Sequence, residues 1–161
     1  FGYGNTINVI NPSSNAVVQT LVTDFGVNSF EIEDDFVYAL SGSSYQAFNK
    51  DSGEAVSSLE FTELSAAANL RIEDDQAYFT VGRSVYVMEQ NSTTEPSEAL
   101  LTYNSESQYG VMYGFEVEDD RIYIADGGDF SSDSFIEVYS TEGNLLKNIR
   151  VGLGPNGFYF N

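Results

Sequence analysis

The chain has 161 residues, room for one domain or part of a larger one, with 25 acidic against 6 basic side chains and a net charge of −19. That charge repels phosphate backbones and excludes nucleic-acid binding. The lack of Cys and His removes disulfides, thiolate sites, the usual general base and the commonest metal ligand. A composition of 42% hydrophobic and 14% aromatic residues argues for a packed core, and no apolar run approaches the roughly 20 residues that would span a bilayer.

The predicted elements are short alternating strands. Residues 6–11 and 17–22 flank the polar turn Pro12-Ser-Ser-Asn15. Residues 30–33 and 36–40 flank an acidic turn, and residues 45–49 and 55–61 flank Lys50-Asp-Ser-Gly53. Residues 62–69, with three Ala, read as a loop or a single turn. The same order then returns with strands over 70–73, 76–80, 84–89 and 99–103, and again over 115–118, 121–125, 135–139 and 145–151.

The return is an internal repeat. Phe30-Glu-Ile-Glu-Asp-Asp-Phe-Val-Tyr-Ala-Leu40 reappears as Leu70-Arg-Ile-Glu-Asp-Asp-Gln-Ala-Tyr-Phe-Thr80 and as Phe115-Glu-Val-Glu-Asp-Asp-Arg-Ile-Tyr-Ile-Ala125. Four antiparallel strands of about 5 residues in roughly 40 residues is the signature of a β-propeller blade. One four-stranded sheet cannot cover both of its faces, so blades stack and bury them against each other. The expected fold is therefore an all-β propeller of about four units, approximately 1–35, 36–75, 76–120 and 121–161. A sandwich of seven or more strands would not need such a repeat.

Residues 1–4 align with the Tyr-bearing strand and residues 154–161 with residues 26–33, so the chain is expected to begin and end at one point inside a blade, between its second and third strands. A four-bladed ring would close by pairing residues 1–4 with 158–160. Half of a seven- or eight-bladed ring, completed by more chain or by a partner, is the favoured expectation. The start at Phe1, without a signal segment, is expected of a processed product or a fragment.

Three features carry candidate chemistry. The Glu-Asp-Asp clusters at 33–35, 73–75 and 118–120 offer a ring of carboxylates, but a turn needed in every blade explains them better. The insertion Asp126-Gly-Gly-Asp129-Phe-Ser-Ser-Asp133 offers Asp126, Asp129 and Asp133 as oxygen ligands for Ca²⁺, against the plainer reading of a solvated loop. Its Asp spacing is not that of an EF-hand. Tyr103, Tyr109 and Tyr113 cluster near Gly110 and Gly114 and are candidate ligand-binding aromatics, whereas Tyr38, Tyr78 and Tyr123 recur in register and read as core between blades.

Ile7-Asn-Val-Ile-Asn-Pro-Ser-Ser-Asn-Ala-Val-Val-Gln-Thr-Leu21 resembles the repeat of YVTN-type propellers, and residues 152–161 resemble the terminal segment of Bacteroidetes surface propeller lipoproteins. The resemblance implies a binding protein at the outer-membrane surface that captures cobalamin or another nutrient for a transporter. The lipidated N-terminal Cys of such proteins has no counterpart here, and no family binding motif is matched. The absence of Trp removes the Trp-Asp pair of WD repeats and the Trp motifs of quinoprotein propellers.

The leading expectation is a non-enzymatic, cell-surface or secreted propeller that binds a small-molecule nutrient or an outer-membrane transporter. A metal-dependent lactonase or hydrolase is the alternative, as is a structural subunit that completes a ring with another chain. An acidic surface and zero Cys suit an extracellular setting.

Overall fold

The computed structural model describes residues 4–105 and 111–160. It is all-β, with fourteen strands and no helix among the described residues: β1 (Thr6–Asn11), β2 (Ala16–Val22), β3 (Ser29–Glu33), β4 (Phe36–Leu40), β5 (Ser44–Asn49), β6 (Ala55–Glu60), β7 (Ala67–Glu73), β8 (Gln76–Val81), β9 (Ser84–Glu89), β10 (Leu101–Thr102), β11 (Met112–Glu118), β12 (Arg121–Asp126), β13 (Ser134–Ser140) and β14 (Leu145–Val151). They form one two-stranded sheet, β1–β2, and three four-stranded sheets in chain order, β3 to β6, β7 to β10 and β11 to β14. Each four-stranded sheet is a blade built as a meander.

The acidic turns make the inner hairpins. Asp34 and the pairs Asp74–Asp75 and Asp119–Asp120 have φ between +48° and +61°, the left-handed region required by tight two-residue hairpin turns and tolerated by Asp. The hairpins fall into the expected register, with Glu33 opposite Phe36 and Glu118 opposite Arg121. The Asp35 carboxylate lies 3.0 Å from the Lys50 ammonium, and Asp75 Oδ1 accepts from Gln90 Nε2 at 2.7 Å. These carboxylates serve the turns.

The sheets are phased differently from the expected units. They begin at Ser29, Ala67 and Met112, so the expected boundaries at 36, 76 and 121 fall inside the β3–β4, β7–β8 and β11–β12 hairpins. A repeat can be cut anywhere in sequence. Only burial and pairing fix where a blade begins. Residues 67–69, expected in a loop, open β7, and the fourth strand expected over 99–103 is reduced to β10, two residues long.

The chain divides into two compact units, residues 1–79 with 88–96 and residues 80–87 with 97–161. In the first unit, Leu21 of β2 is buried with Val37, Ala39 and Phe48, flanked by Ile7 and Val27. Polar contacts join the sheets at one end. Arg71 Nη1 bonds to Glu31 Oε1 at 2.9 Å, the Leu70 amide donates to Ser29 Oγ at 3.0 Å, and Asn28 Nδ2 donates to the Ala67 carbonyl at 2.6 Å. Tyr38 and Tyr78 are buried, as the repeat predicts, and Tyr38 stacks on Tyr45 with ring centroids 5.9 Å apart.

In the second unit, Ile122 and Ile124 of β12 are fully buried, with Phe115 and Val117 of β11 beside them. Tyr123 points to the opposite face, where Phe158 and Phe160 pack on it at 5.5 and 5.0 Å. Residues 156 and 157 cross β11 at Gly114, where a Cβ would lie 3.0 Å from the Asn156 backbone. The pairing of residues 1–4 with 158–160 that a four-bladed ring would need involves residues 1–3, which lie outside the described residues.

Candidate functional site

The insertion between β12 and β13 builds the most developed site. Asp126 ends β12 opposite Met112, and the Gly127 amide donates to the Val111 carbonyl at 3.0 Å. Gly128 then turns with φ +59°. A Cβ at Gly127 would meet the Phe130 ring at 2.8 Å, so the loop needs glycine for close approach as well as for turning. Phe130 folds back edge-on to Tyr113, with centroids 5.0 Å apart at 83°.

The three Asp residues have different tasks. Asp129 Oδ1 accepts from the Ser131 and Ser132 amides and from Ser132 Oγ, each at 2.9 Å, an Asx turn that lowers its pKa to about 2. Asp133 Oδ2 pairs with Arg150 Nε at 3.2 Å. Asp126 is fully buried. Its Oδ1 accepts from the Gly128 amide and its backbone carbonyl from Ser134 Oγ, and the Tyr103 hydroxyl lies beside its carboxylate. Among the described residues no group of three or more acidic side chains is placed to hold a metal ion, and Asp126, Asp129 and Asp133, offered above as Ca²⁺ ligands against a solvated loop, each have separate bonding partners.

Around this loop lies an open recess of about 520 Å³, walled by Asp126, Asp129, Ser132, Phe135, Asn148 and Arg150. The side chains of β13 and β14 reach it because Phe135 faces Arg150 and Glu137 faces Asn148 across the ladder. Glu137 is buried and satisfied, with Oε2 accepting from the Tyr139 hydroxyl and Oε1 from Asn148 Nδ2 at 3.0 Å. Burial and the bond to Glu137 push the Tyr139 hydroxyl pKa up.

The two described candidate aromatics differ in burial. Tyr103 follows β10 and is fully buried, with its amide bonded to the Arg83 carbonyl at 3.1 Å and its hydroxyl beside the Asp126 carboxylate. Burial, then the charge of Asp126, raises its pKa. Tyr113 is 45% exposed on β11 and packs on Phe130 rather than on Tyr103. Tyr109 lies outside the described residues. Sequence reasoning missed Phe135, Glu137, Tyr139, Asn148 and Arg150. The signal was present in the alternation of β13, which puts Glu137 on the same face as Phe135 and Tyr139.

No protein-family model matches the chain, and no curated protein matches it. Solved structures do. The computationally designed Ika8 protein matches at a TM-score of 0.65 and 12% identity, over 98% of this chain and 47% of that one. Hydrazine synthase of Kuenenia stuttgartiensis matches at 0.67 and 8% identity, over 92% of this chain and 44% of that one. BamB of Moraxella catarrhalis matches at 0.58 and 14% identity, over 98% of this chain and 48% of that one. The chain thus spans about half the length of these structures. At such identities the likeness is one of fold, and the fold is that of β-propeller blades.

Proposed function

We propose that this protein is a non-enzymatic binding protein of the propeller class, acting at the cell surface or in the extracellular medium, with the recess beside the 126–134 insertion as its ligand site. One observation carries the reading: a recess of about 520 Å³, within the range of small-molecule sites, is formed by the insertion that lengthens one blade and is walled by a fully buried carboxylate. Blade insertions map to one face and are often where propellers bind. The net charge of −19 suits an extracellular setting.

The finer form of the proposal is capture of a nutrient such as cobalamin for an outer-membrane transporter, which rests on the resemblance of the repeat. Equilibrium dialysis against cyanocobalamin, beside native mass spectrometry of ligands retained on purification, tests both forms. Binding of cobalamin supports the finer one. Retention of some other small molecule, lost when residues 128–132 are shortened to a tight turn, supports only the general one. No retained or added small molecule at the recess overturns both.

A second reading is favoured by a separate observation. The β1–β2 sheet has two strands where the other sheets have four, and it exposes Val18 and Val22 at 61% and 62%. In a propeller, such a face and edge are covered by further blades, either of more chain or of another subunit. On this reading the protein is a structural part of a seven- or eight-bladed ring. Mass in solution decides it: a stable monomer at micromolar concentration opposes it, and a defined complex supports it. A metal-dependent hydrolase would need a donor group that the described residues do not assemble.

A further inference from the structure

The segment after β14 repeats the approach to β3. Gly154-Pro155-Asn156-Gly157-Phe158 aligns with Gly26-Val27-Asn28-Ser29-Phe30, so Asn156 stands where Asn28 stands before β3. The two amides have different surroundings. Asn28 is half-buried, and its Nδ2 donates to the Ala67 carbonyl at 2.6 Å. Asn156 and Gly157 are both exposed and lie in neither a strand nor a turn. Among the described residues, neither the Asn156 side chain nor the Gly157 N–H has a hydrogen-bond partner. This is also the only Asn-Gly step in the sequence. Glycine has no Cβ to shield its nitrogen or to limit the rotation that brings a side-chain carbonyl up to it. Asn91-Ser92 differs on this point: Asn91 is exposed, but the Ser92 N–H is held by the Glu89 carbonyl at 2.9 Å.

We propose that Asn156 is a site of spontaneous deamidation through a cyclic imide, and that the isoaspartate so formed releases the aromatic cap on β12. The Gly157 nitrogen gives its proton to hydroxide and attacks Asn156 Cγ. The new N–Cγ bond closes a five-membered ring, the Cγ–Nδ2 bond breaks, and ammonia leaves with a proton from water. Water then opens the imide. Cleavage of the N–Cγ bond gives Asp, and cleavage of the N–C bond gives isoaspartate; one water enters for each ammonia lost, and nothing is oxidised or reduced. Isoaspartate routes the chain through Cβ and Cγ and so lengthens it by one methylene. That change falls where the chain crosses β11: a Cβ at Gly114 would lie 3.0 Å from the Asn156 carbonyl carbon and 3.2 Å from the Gly157 nitrogen. Phe158 and Phe160, seated on Tyr123 just beyond the crossing, cannot keep their places on a longer backbone. Tyr123 also walls a recess of about 370 Å³ with Val138, Leu146 and Ile149, so loss of the cap widens an apolar surface.

The test is incubation of the full chain at neutral and at mildly alkaline pH, followed by tryptic mass mapping and by methyl transfer with a protein isoaspartyl methyltransferase. The peptide that follows Arg150 is expected to gain the mass of water less ammonia and to accept methyl groups, faster at the higher pH. The peptides holding Asn28 and Asn91 are expected to stay unchanged over the same time. Gly157→Val is expected to slow the reaction at least tenfold, and it should fold, since a Cβ at Gly157 meets nothing nearer than the Tyr159 ring at 3.7 Å. A folded chain unchanged at Asn156 overturns the proposal, whether or not the urea-unfolded chain reacts there. Equal reaction at Asn91 also overturns it, because exposure alone would then decide the rate. Contacts between the Tyr123 ring and the rings of Phe158 and Phe160, read by NMR, are expected to vanish in the isoaspartate form and to persist in Asn156→Asp, which adds the charge without the methylene. Contacts kept in the isoaspartate form, or lost in both, overturn the release of the cap by the longer backbone.

Discussion

The Tyr45 hydroxyl donates to the Gln90 carbonyl at 2.8 Å, linking β5 to the turn after β9 across 45 residues of chain. Tyr45 is buried, and burial raises its pKa far above the phenolic range, so the hydroxyl stays a neutral donor. Tyr45→Phe keeps the stacking on Tyr38 and leaves the carbonyl unmet. The expected loss is about 1–2 kcal/mol, read from the urea midpoint of the variant against the parent. An unchanged midpoint would mean that water replaces the hydroxyl.

Gly143 turns the β13–β14 hairpin at φ +83°, and a Cβ there would stand 2.8 Å from the Leu100 carbonyl. Gly143→Ala meets both a conformational and a steric penalty. Equilibrium denaturation should show a loss of about 1–3 kcal/mol.

The acidic turn at Asp119–Asp120 puts two non-glycine residues in the left-handed region, at φ +51° and +58°. Replacing the pair by Asn-Gly supplies the residues that such a turn prefers. The variant should melt at a higher temperature, by about 0.5–1 kcal/mol of added stability. A lower melting temperature would show that the carboxylates do more than turn the chain.

The pH dependence has a definite sign. Three bonds from Ser131 and Ser132 hold the Asp129 carboxylate near a pKa of about 2. The Glu95 carboxylate, bonded by the Thr62 hydroxyl and the amides of Thr62, Glu63 and Leu64, is also lowered. Both groups are depressed in the folded state. Their contribution is complete above the ordinary carboxylate range and is lost as pH falls through their folded values. NMR titration should find Asp129 still ionised at pH 3. Glu95→Ala should speed amide exchange at residues 62–64 without altering exchange at residues 126–134.

Much of the fold was legible because hairpins are local. The Glu-Asp-Asp turn, the alternation around it and the recurring Tyr place three hairpins and two buried tyrosines without any tertiary information. Blade phase was not legible, since it depends on which neighbour each hairpin packs against. Tyr103 shows the limit at the site. Its loop-rich neighbours made it a candidate ligand-binding aromatic, and it is fully buried. The insertion was found by its length. The carboxylates in it could not be sorted, because their roles depend on partners such as Arg150, Ser134 and Gly128.

Each four-stranded sheet is drawn from one continuous stretch, residues 29–60, 67–102 or 112–151, and each strand bonds to its neighbour in the chain. Pairing is therefore a matter of short loops, and closing a short loop costs little chain entropy. Chains rich in such local contacts fold faster than all-β chains with distant pairings. A ribosome delivers each stretch whole before the next begins, so a blade can pair its strands while the chain behind it is still being made.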